Sequence, residues 1–275
     1  MYLKQRVVEN RLIGHPSQGI YKLVLSGQIS KTAQPGQFLH IQVSATQDPL
    51  LRRPLSIAGI NRVKEEVTIY YKVVGRGTDL LTRFKENDYI SVLGPLGTGF
   101  TIPQKGELLL IAGGIGVFPL YSLIQAVDRE QVKIHLFWGG ENIDFLESAD
   151  LKYILNTGVN LKISTMDGSL GHQGLVTDLL QAGIRDSGFA DLNHNHLLAA
   201  AACGPKGMLK AAAEICLKNN IPLEVSLEER MACGIGACLG CVCTVKGEDG
   251  NLKRKRVCKE GPVLKAEEVV WDAKS

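Results

Sequence analysis

The chain has 275 residues, 45% of them hydrophobic and 21% charged, which is enough apolar material for two compact domains and excludes a disordered polymer. Its net charge is only +3, and Lys and Arg are scattered apart from the run Lys253–Arg256, so nucleic acid is not an expected partner. No window reaches the ~18 apolar residues of a membrane span and the N-terminus lacks an apolar signal core, which predicts a cytoplasmic protein without a membrane partner.

Residues 1–102 contain short β-rich runs (GIYKLVLSG, GQFLHIQV, EVTIYYKVV, DYISVLGPLG) separated by Gly, Pro and polar turns. Alternation in the third run and the turn spacing predict an antiparallel β-barrel or sandwich, with helical character only near Thr78 to Lys85. Arg52-Arg53-Pro54-Leu55-Ser56 follows a β-rich stretch. An Arg before a turn can clamp a pyrophosphate, and a Ser hydroxyl two or three residues on can bond a flavin ring nitrogen; an exposed basic loop is the plainer alternative. Gly75-Arg76-Gly77-Thr78 opens a possible helix, where free N–H groups favour a phosphate, or it is a glycine turn with a capping Thr.

Over residues 104–226 apolar runs alternate with helical segments: LLLIAG then PLYSLIQAV, VKIHLFWG then NIDFLESADLKYIL, VNLKIST then LVTDLLQAG, HLLAAAACG then KGMLKAAAEICLKNN, and last PLEVSLEE. This is the pattern of a parallel-sheet α/β nucleotide-binding domain with helices on both faces. Gly113-Gly114-Ile115-Gly116 lies between a strand and a helix, where a nucleotide phosphate is cradled, although it departs from Gly-x-Gly-x-x-Gly. It lacks the Lys of a P-loop, so nucleoside triphosphate hydrolysis is not supported. Cys203-Gly204-Pro205 ends another apolar strand at the same kind of edge.

Residues 227–275 carry five of the seven cysteines within 26 consecutive positions. Clustering of this kind in a cytosolic chain favours metal or redox use over disulfides. Cys233, Cys238 and Cys241 have the spacing Cys-x4-Cys-x2-Cys, with Cys258 further along; this is the plant-type spacing for a [2Fe–2S] cluster. Gly234, Gly236 and Gly240 suit a loop that needs positive φ angles and close backbone approach. A structural zinc site is the alternative, but its ligands usually come as two separated knuckles. Cys243 fits the spacing less well than Cys241 and is read as a non-ligand. GEDGN is a turn between two short strands. The chain thus reads as a multidomain β plus α/β protein with a small C-terminal [2Fe–2S] module.

Arg53-Pro54-Leu55-Ser56, Gly77-Thr78, the Gly113–Pro119 loop and Cys203-Gly204-Pro205 together resemble the ferredoxin–NADP reductase superfamily. The tail, Glu228-Glu229-Arg230-Met231-Ala232-Cys233-Gly234-Ile235-Gly236-Ala237-Cys238 and Val257-Cys258-Lys259-Glu260-Gly261-Pro262-Val263, resembles the electron-transfer subunits of class B dihydroorotate dehydrogenases. So do Asp167-Gly168-Ser169 and Gly174-Leu175-Val176-Thr177-Asp178. The resemblance implies FAD contacts from Arg53, Pro54, Leu55 and Ser56, from Tyr70, Tyr71 and Lys72, and from Gly77 and Thr78. It implies cluster ligation by Cys233, Cys238, Cys241 and Cys258. By superfamily likeness, Gly113, Gly114 and Gly116 would face the NAD diphosphate, with Cys203, Gly204 and Pro205 near the nicotinamide.

The implied activity is oxidoreduction. Electrons pass from an FMN-containing catalytic subunit, which oxidises dihydroorotate to orotate in pyrimidine biosynthesis, through the cluster and FAD to NAD+, in a heterotetramer of two subunits of each kind. A cluster moves one electron and NAD takes a two-electron hydride, so a flavin must lie between. Ser56 near flavin N5 and Cys203 near nicotinamide C4 would align the hydride path, neither acting as a nucleophile. A bifurcating transhydrogenase or a sulfhydrogenase subunit has the same three parts. A redox-sensing or structural metal module is a further alternative. The basic run Lys253–Arg256 could help docking.

Overall fold

The computed structural model describes residues 2–44, 46, 48–186, 189 and 198–273. Strands β1 (Tyr2–Ile13), β2 (Ile20–Ser26), β3 (Phe38–Ile41), β4 (Arg53–Ser56), β5 (Gly59–Asn61), β6 (Glu66–Lys72) and β7 (Tyr89–Leu96) form one sheet, in the order β4-β3-β7-β1-β2-β6-β5. Every neighbouring pair is antiparallel. The period of two along a strand decides what each face does. In β6, Val67, Ile69 and Tyr71 join Leu23, Leu25, Leu39 and Ile41 in a single enclosed core. Tyr70 and Lys72 therefore face the other way, out of the barrel and toward the second domain. The one helix of functional interest here is Arg76–Leu81.

The second sheet combines β8 (Gly106–Gly113), β9 (Val132–Gly140), β10 (Asn160–Thr165), β11 (His172–Gln173), β12 (Leu198–Cys203) and β13 (Leu223–Ser226), all parallel. Its order is β11-β10-β9-β8-β12-β13, closed at the end by a strand from the tail, Val263–Lys265, antiparallel to β13. Residues beyond 227 thus contribute to the central sheet as well as to the hairpin Val242–Lys246 with Leu252–Arg256 that flanks GEDGN. Leu108, Leu110 and Leu136 point into the core under helix Val117–Ala126, whereas Leu109, Ile111 and Phe137 point into the one under helices Val176–Asp186 and Lys206–Lys218. Burial on both faces is why these strands read as unbroken apolar runs.

The segment expected as one helix over NIDFLESADLKYIL is two, Ile143–Ser148 and Leu151–Asn156. The break is Asp150, at φ 64. That left-handed residue turns its carboxylate toward the barrel, where it accepts a hydrogen bond of 2.9 Å from the Tyr70 hydroxyl. The Tyr70 ring stacks on Phe118 at 4.7 Å, so the outward face of β6 joins the two domains. Among the described residues no helix is long and apolar enough to cross a membrane.

Candidate functional site

From β8 the chain runs to β9 and β10 on one side, and β12 and β13 lie on the other. The order reverses between β8 and β12, and the carboxyl ends of strands at such a switch point leave a crevice for a ligand. The two loops read from the sequence meet there. Cys203 is in register with Ala112. A Cβ on Gly116 would lie 2.5 Å from the Cys203 carbonyl carbon and 2.7 Å from Gly204 Cα, and one on Gly113 would lie 2.8 Å from Pro205 Cδ. Glycine at 113 and 116 is what lets the loops touch. Gly114, at φ 57, makes the turn that follows β8. Cys203 itself is buried beneath this edge; burial first, and the nearby Glu228 charge second, push its thiol up to about 12, with the Ser226 hydroxyl beside it. Burial of this kind favours the neutral thiol.

Between the two domains lies a cavity of about 310 Å³. Arg53, Pro54, Leu55 and Ser56 of β4, Tyr70, Tyr71 and Lys72 of β6, and Thr78 line it on the barrel side, with Ile115, Phe118 and Pro119 opposite. Gly77 lies under the Arg53 side chain, where a Cβ would collide with the guanidinium, 2.6 Å from Cζ and Nη2. The Thr78 hydroxyl accepts from Val74 N–H at 3.0 Å and Gly75 N–H at 3.3 Å and donates to Gly75 O. It shapes this wall instead of projecting from it.

The third wall is Ser226, Leu227, Glu228, Glu229 and Met231. Two residues later, at Cys233, the cysteine loop begins. Its four sulfurs each accept a main-chain N–H: Cys233 from Cys238 and Cys238 from Gly240, both at 3.4 Å, Cys241 from Cys258 at 3.4 Å, and Cys258 from Gly236 at 3.1 Å. Thiolates held by donors of this kind suit an iron–sulfur cluster, whose potential depends on hydrogen bonds to sulfur. Burial raises the Cys233 thiol, but the main-chain N–H groups of Ile235, Cys238 and Ala237 outweigh it and bring it down to about 6. Gly234 (φ 72) and Gly236 (φ 80) take the left-handed conformations expected of them. Gly240 does not; the third left-handed residue is Leu239 (φ 56), and glycine at 240 serves the close approach of its N–H to Cys238. Cys243 lies in the hairpin strand opposite Lys255 and packs against the second core, its thiol pushed up to about 11 by burial and then by Glu229.

The basic run beside Cys258 is largely engaged internally. Lys253 pairs with Asp249 and Lys255 with Glu268. Arg256 pairs with Glu260 and donates to the Gly236 carbonyl at 2.9 Å, bracing the cysteine loop.

Residues 228–270 match the iron-sulfur cluster binding domain of dihydroorotate dehydrogenase B, and residues 110–214 match the oxidoreductase NAD-binding domain. A dihydroorotate dehydrogenase B (NAD(+)) electron transfer subunit of Geobacillus kaustophilus is 41% identical over 273 residues, 97% of this chain and 98% of its own. The chain belongs to the family of dihydroorotate dehydrogenase B electron transfer subunits. The relative from Clostridium acetobutylicum is 35% identical over 270 residues, 98% of this chain and 97% of its own. Among solved structures, an NADH-dependent reduced ferredoxin–NADP oxidoreductase described for flavin-based electron bifurcation matches at a TM-score of 0.81 and 30% identity, over 98% of this chain and 90% of its own. A ferredoxin NADP+ reductase from Neisseria gonorrhoeae, solved with bound FAD and NADP, shares the fold at a TM-score of 0.64 and 15% identity, over 82% of this chain and 99% of its own.

In this electron transfer subunit, three contributors to the site were not legible as such. Phe118 reads as an ordinary apolar helix residue, and only its stacking on Tyr70 shows that it walls the cavity. Asp150 carried no signal beyond an acidic residue in a helical run. Arg256 reads as part of a basic patch, and its tie to Gly236 emerges only in the folded loop.

Proposed function

We propose that this chain carries electrons from the FMN of a catalytic dihydroorotate dehydrogenase subunit through a [2Fe–2S] cluster and FAD to NAD+, in pyrimidine biosynthesis. The observation that carries the reading is the continuity of Ser226–Met231, which walls the cavity between the domains, with the cysteine loop that starts at Cys233. A flavin in that cavity would share the wall Ser226–Met231 with the start of the loop that would hold the cluster.

The cluster supplies one-electron transfer, the flavin converts between one- and two-electron steps, and NAD+ takes the hydride. The chain's own residues bind and orient. Cys233 and Cys238 form one thiolate pair and Cys241 and Cys258 the other, matching the two hydrogen-bonded pairs in the loop. Arg53 places a fixed positive charge for the FAD pyrophosphate. Ser56 offers a hydroxyl to the flavin edge, and Gly113, Gly114 and Gly116 bring backbone N–H groups to the NAD diphosphate at the start of helix Val117–Ala126. Cys203, with Gly204 and Pro205, supports the nicotinamide end from below. The partner is an FMN-containing catalytic subunit, two copies of each assembling together.

The likeness to the bifurcating oxidoreductase favours one second reading, a paralogous subunit serving another partner. Coexpression with the FMN subunit separates the two. The copurified complex is expected to show flavin and [2Fe–2S] absorbance, to scatter light as a heterotetramer, and to reduce NAD+ with dihydroorotate. A complex with both cofactors that does not do so overturns the proposal in favour of the paralogue.

A further inference from the structure

His40 lies in β3, in register with Pro54 of β4, and is fully buried. Among the described residues neither of its ring nitrogens has a hydrogen-bond partner. A buried N–H without an acceptor is costly, and each instance asks for an explanation. The ring is pressed against the cysteine loop, since a Cβ on Gly234 would meet Nδ1 at 2.5 Å. The main-chain carbonyls that face it are those of Arg52, at the foot of β4, and Cys233. His40 thus spans the gap between the strand that carries Arg53 and Ser56 and the first cysteine of the loop.

A neutral imidazole carries one N–H. That single proton can serve one carbonyl. Nδ1 is the nitrogen against Gly234, on the side of Cys233. The Arg52 backbone is already fixed by its place next to β4, whereas the loop is shaped by what it holds.

Building on the cluster site proposed above, we propose that His40 is a positioning residue for that cluster, its Nδ1–H donating to the Cys233–Gly234 segment. The positive end of the N–H dipole is then aimed at the ligand loop in a dry interior. A donor on the Cys233 carbonyl offsets part of the negative end of its dipole beside the cluster site, which favours the more negative, reduced form and raises the potential. It also ties the loop to the flavin-bearing strand.

Two variants test this, His40→Leu, which removes the donor at similar volume, and His40→Asn, which keeps one near the Nδ1 position. Each is purified in complex with the FMN subunit, and its cluster midpoint is measured by an EPR-monitored redox titration, with iron content and FAD content determined alongside. His40→Leu is expected to shift the reduction equilibrium about tenfold toward the oxidised form, about 59 mV more negative for a one-electron couple. His40→Asn is expected to stay close to wild type. Loss of the cluster from His40→Leu with retention in His40→Asn also supports the role. A wild-type midpoint in His40→Leu, or the same shift or loss in both variants, overturns it, because volume and not the donor would then be what matters. A wild-type protein lacking the [2Fe–2S] signal would instead fail the proposed function, and this is seen before either variant is made.

Discussion

Gly77→Ala separates the binding of flavin from the stability of the barrel that binds it. The added methyl would lie 2.6 Å from both Cζ and Nη2 of Arg53, so one of the two must move. Arg53 is a flexible side chain and swings aside, and the backbone of helix Arg76–Leu81 stays in place. What is lost is the guanidinium's position in the cavity. A hydrogen bond to a charged group is worth about 1.5–3 kcal/mol, which at about 1.4 kcal/mol per tenfold corresponds to an FAD dissociation constant weaker by roughly 10- to 150-fold. The flavin-free protein responds in the opposite sense, since alanine in a helix is favoured over glycine by about 0.5–1 kcal/mol. Titrating flavin-depleted protein with FAD, followed by flavin fluorescence, measures the first quantity; thermal unfolding without FAD measures the second. In excess FAD the variant is expected to lose about 1.4 kcal/mol of ligand-derived stability for each tenfold loss of affinity. Unchanged FAD affinity would refute the placement of Arg53 as the clamp. A flavin-free variant that unfolds more easily than wild type would refute the claim that the side chain, not the backbone, gives way.

Cys243→Ser is expected to keep the visible and EPR spectra of the cluster at a cost of about 1 kcal/mol for the buried polar swap, whereas Cys258→Ser is expected to lose them; loss of the cluster in both would place Cys243 among the ligands. Gly116→Ala sets a methyl 2.5 Å from the Cys203 carbonyl carbon, where the obstacle is backbone, so the loops must part. Urea unfolding is expected to show a loss of about 1–3 kcal/mol, with weaker NADH binding, and a stable variant with normal NADH affinity would contradict the packing argument. The buried Tyr121 hydroxyl donates to the Ala149 carbonyl, and burial, with the Tyr70 hydroxyl next in effect, raises its pKa well above 10.0. The folded protein therefore keeps this phenol neutral at a pH where the unfolded chain ionises it. Its stabilising effect is complete below pH 10 and is lost as the pH rises beyond, by about 1.4 kcal/mol per unit. Urea unfolding between pH 9 and 11 is expected to show a shallower decline for Tyr121→Phe than for wild type, and equal slopes would exclude this origin.

What could be read from the sequence was whatever a local rule encodes. The alternation in β6 marked an antiparallel strand, and the unbroken apolar strands of residues 104–226 marked a parallel sheet covered on both faces. The Cys-x4-Cys-x2-Cys spacing likewise sits within one loop. The parts that escaped are those decided by another segment. Leucine does not signal a left-handed backbone, yet Leu239 adopts one because the loop must bring the Gly240 N–H to Cys238. Asp150 breaks an otherwise continuous helical pattern, and its carboxylate meets a barrel tyrosine 80 positions earlier in the chain.

His40 shows the same limit at the centre of the proposed path. In Phe38–Ile41 it reads as a polar residue within a buried strand, for which an ordinary hydrogen-bonded core histidine would be the expectation. Only the fold shows that its ring nitrogens have no partner among the described residues and that the group facing it is the cysteine loop. Lys253–Arg256 errs in the other direction, since a run of four cations suggests a surface for an acidic partner. Once Lys253, Lys255 and Arg256 are paired with Asp249, Glu268 and Glu260, little of that charge is left to steer anything. Charge counted along the chain overstates the field at the surface, because folding brings acids from nearby segments to the same face. The positive charge next to Cys258 is therefore better understood as part of the loop's scaffold, with Arg256 holding the Gly236 carbonyl so that the Gly236 N–H points at Cys258.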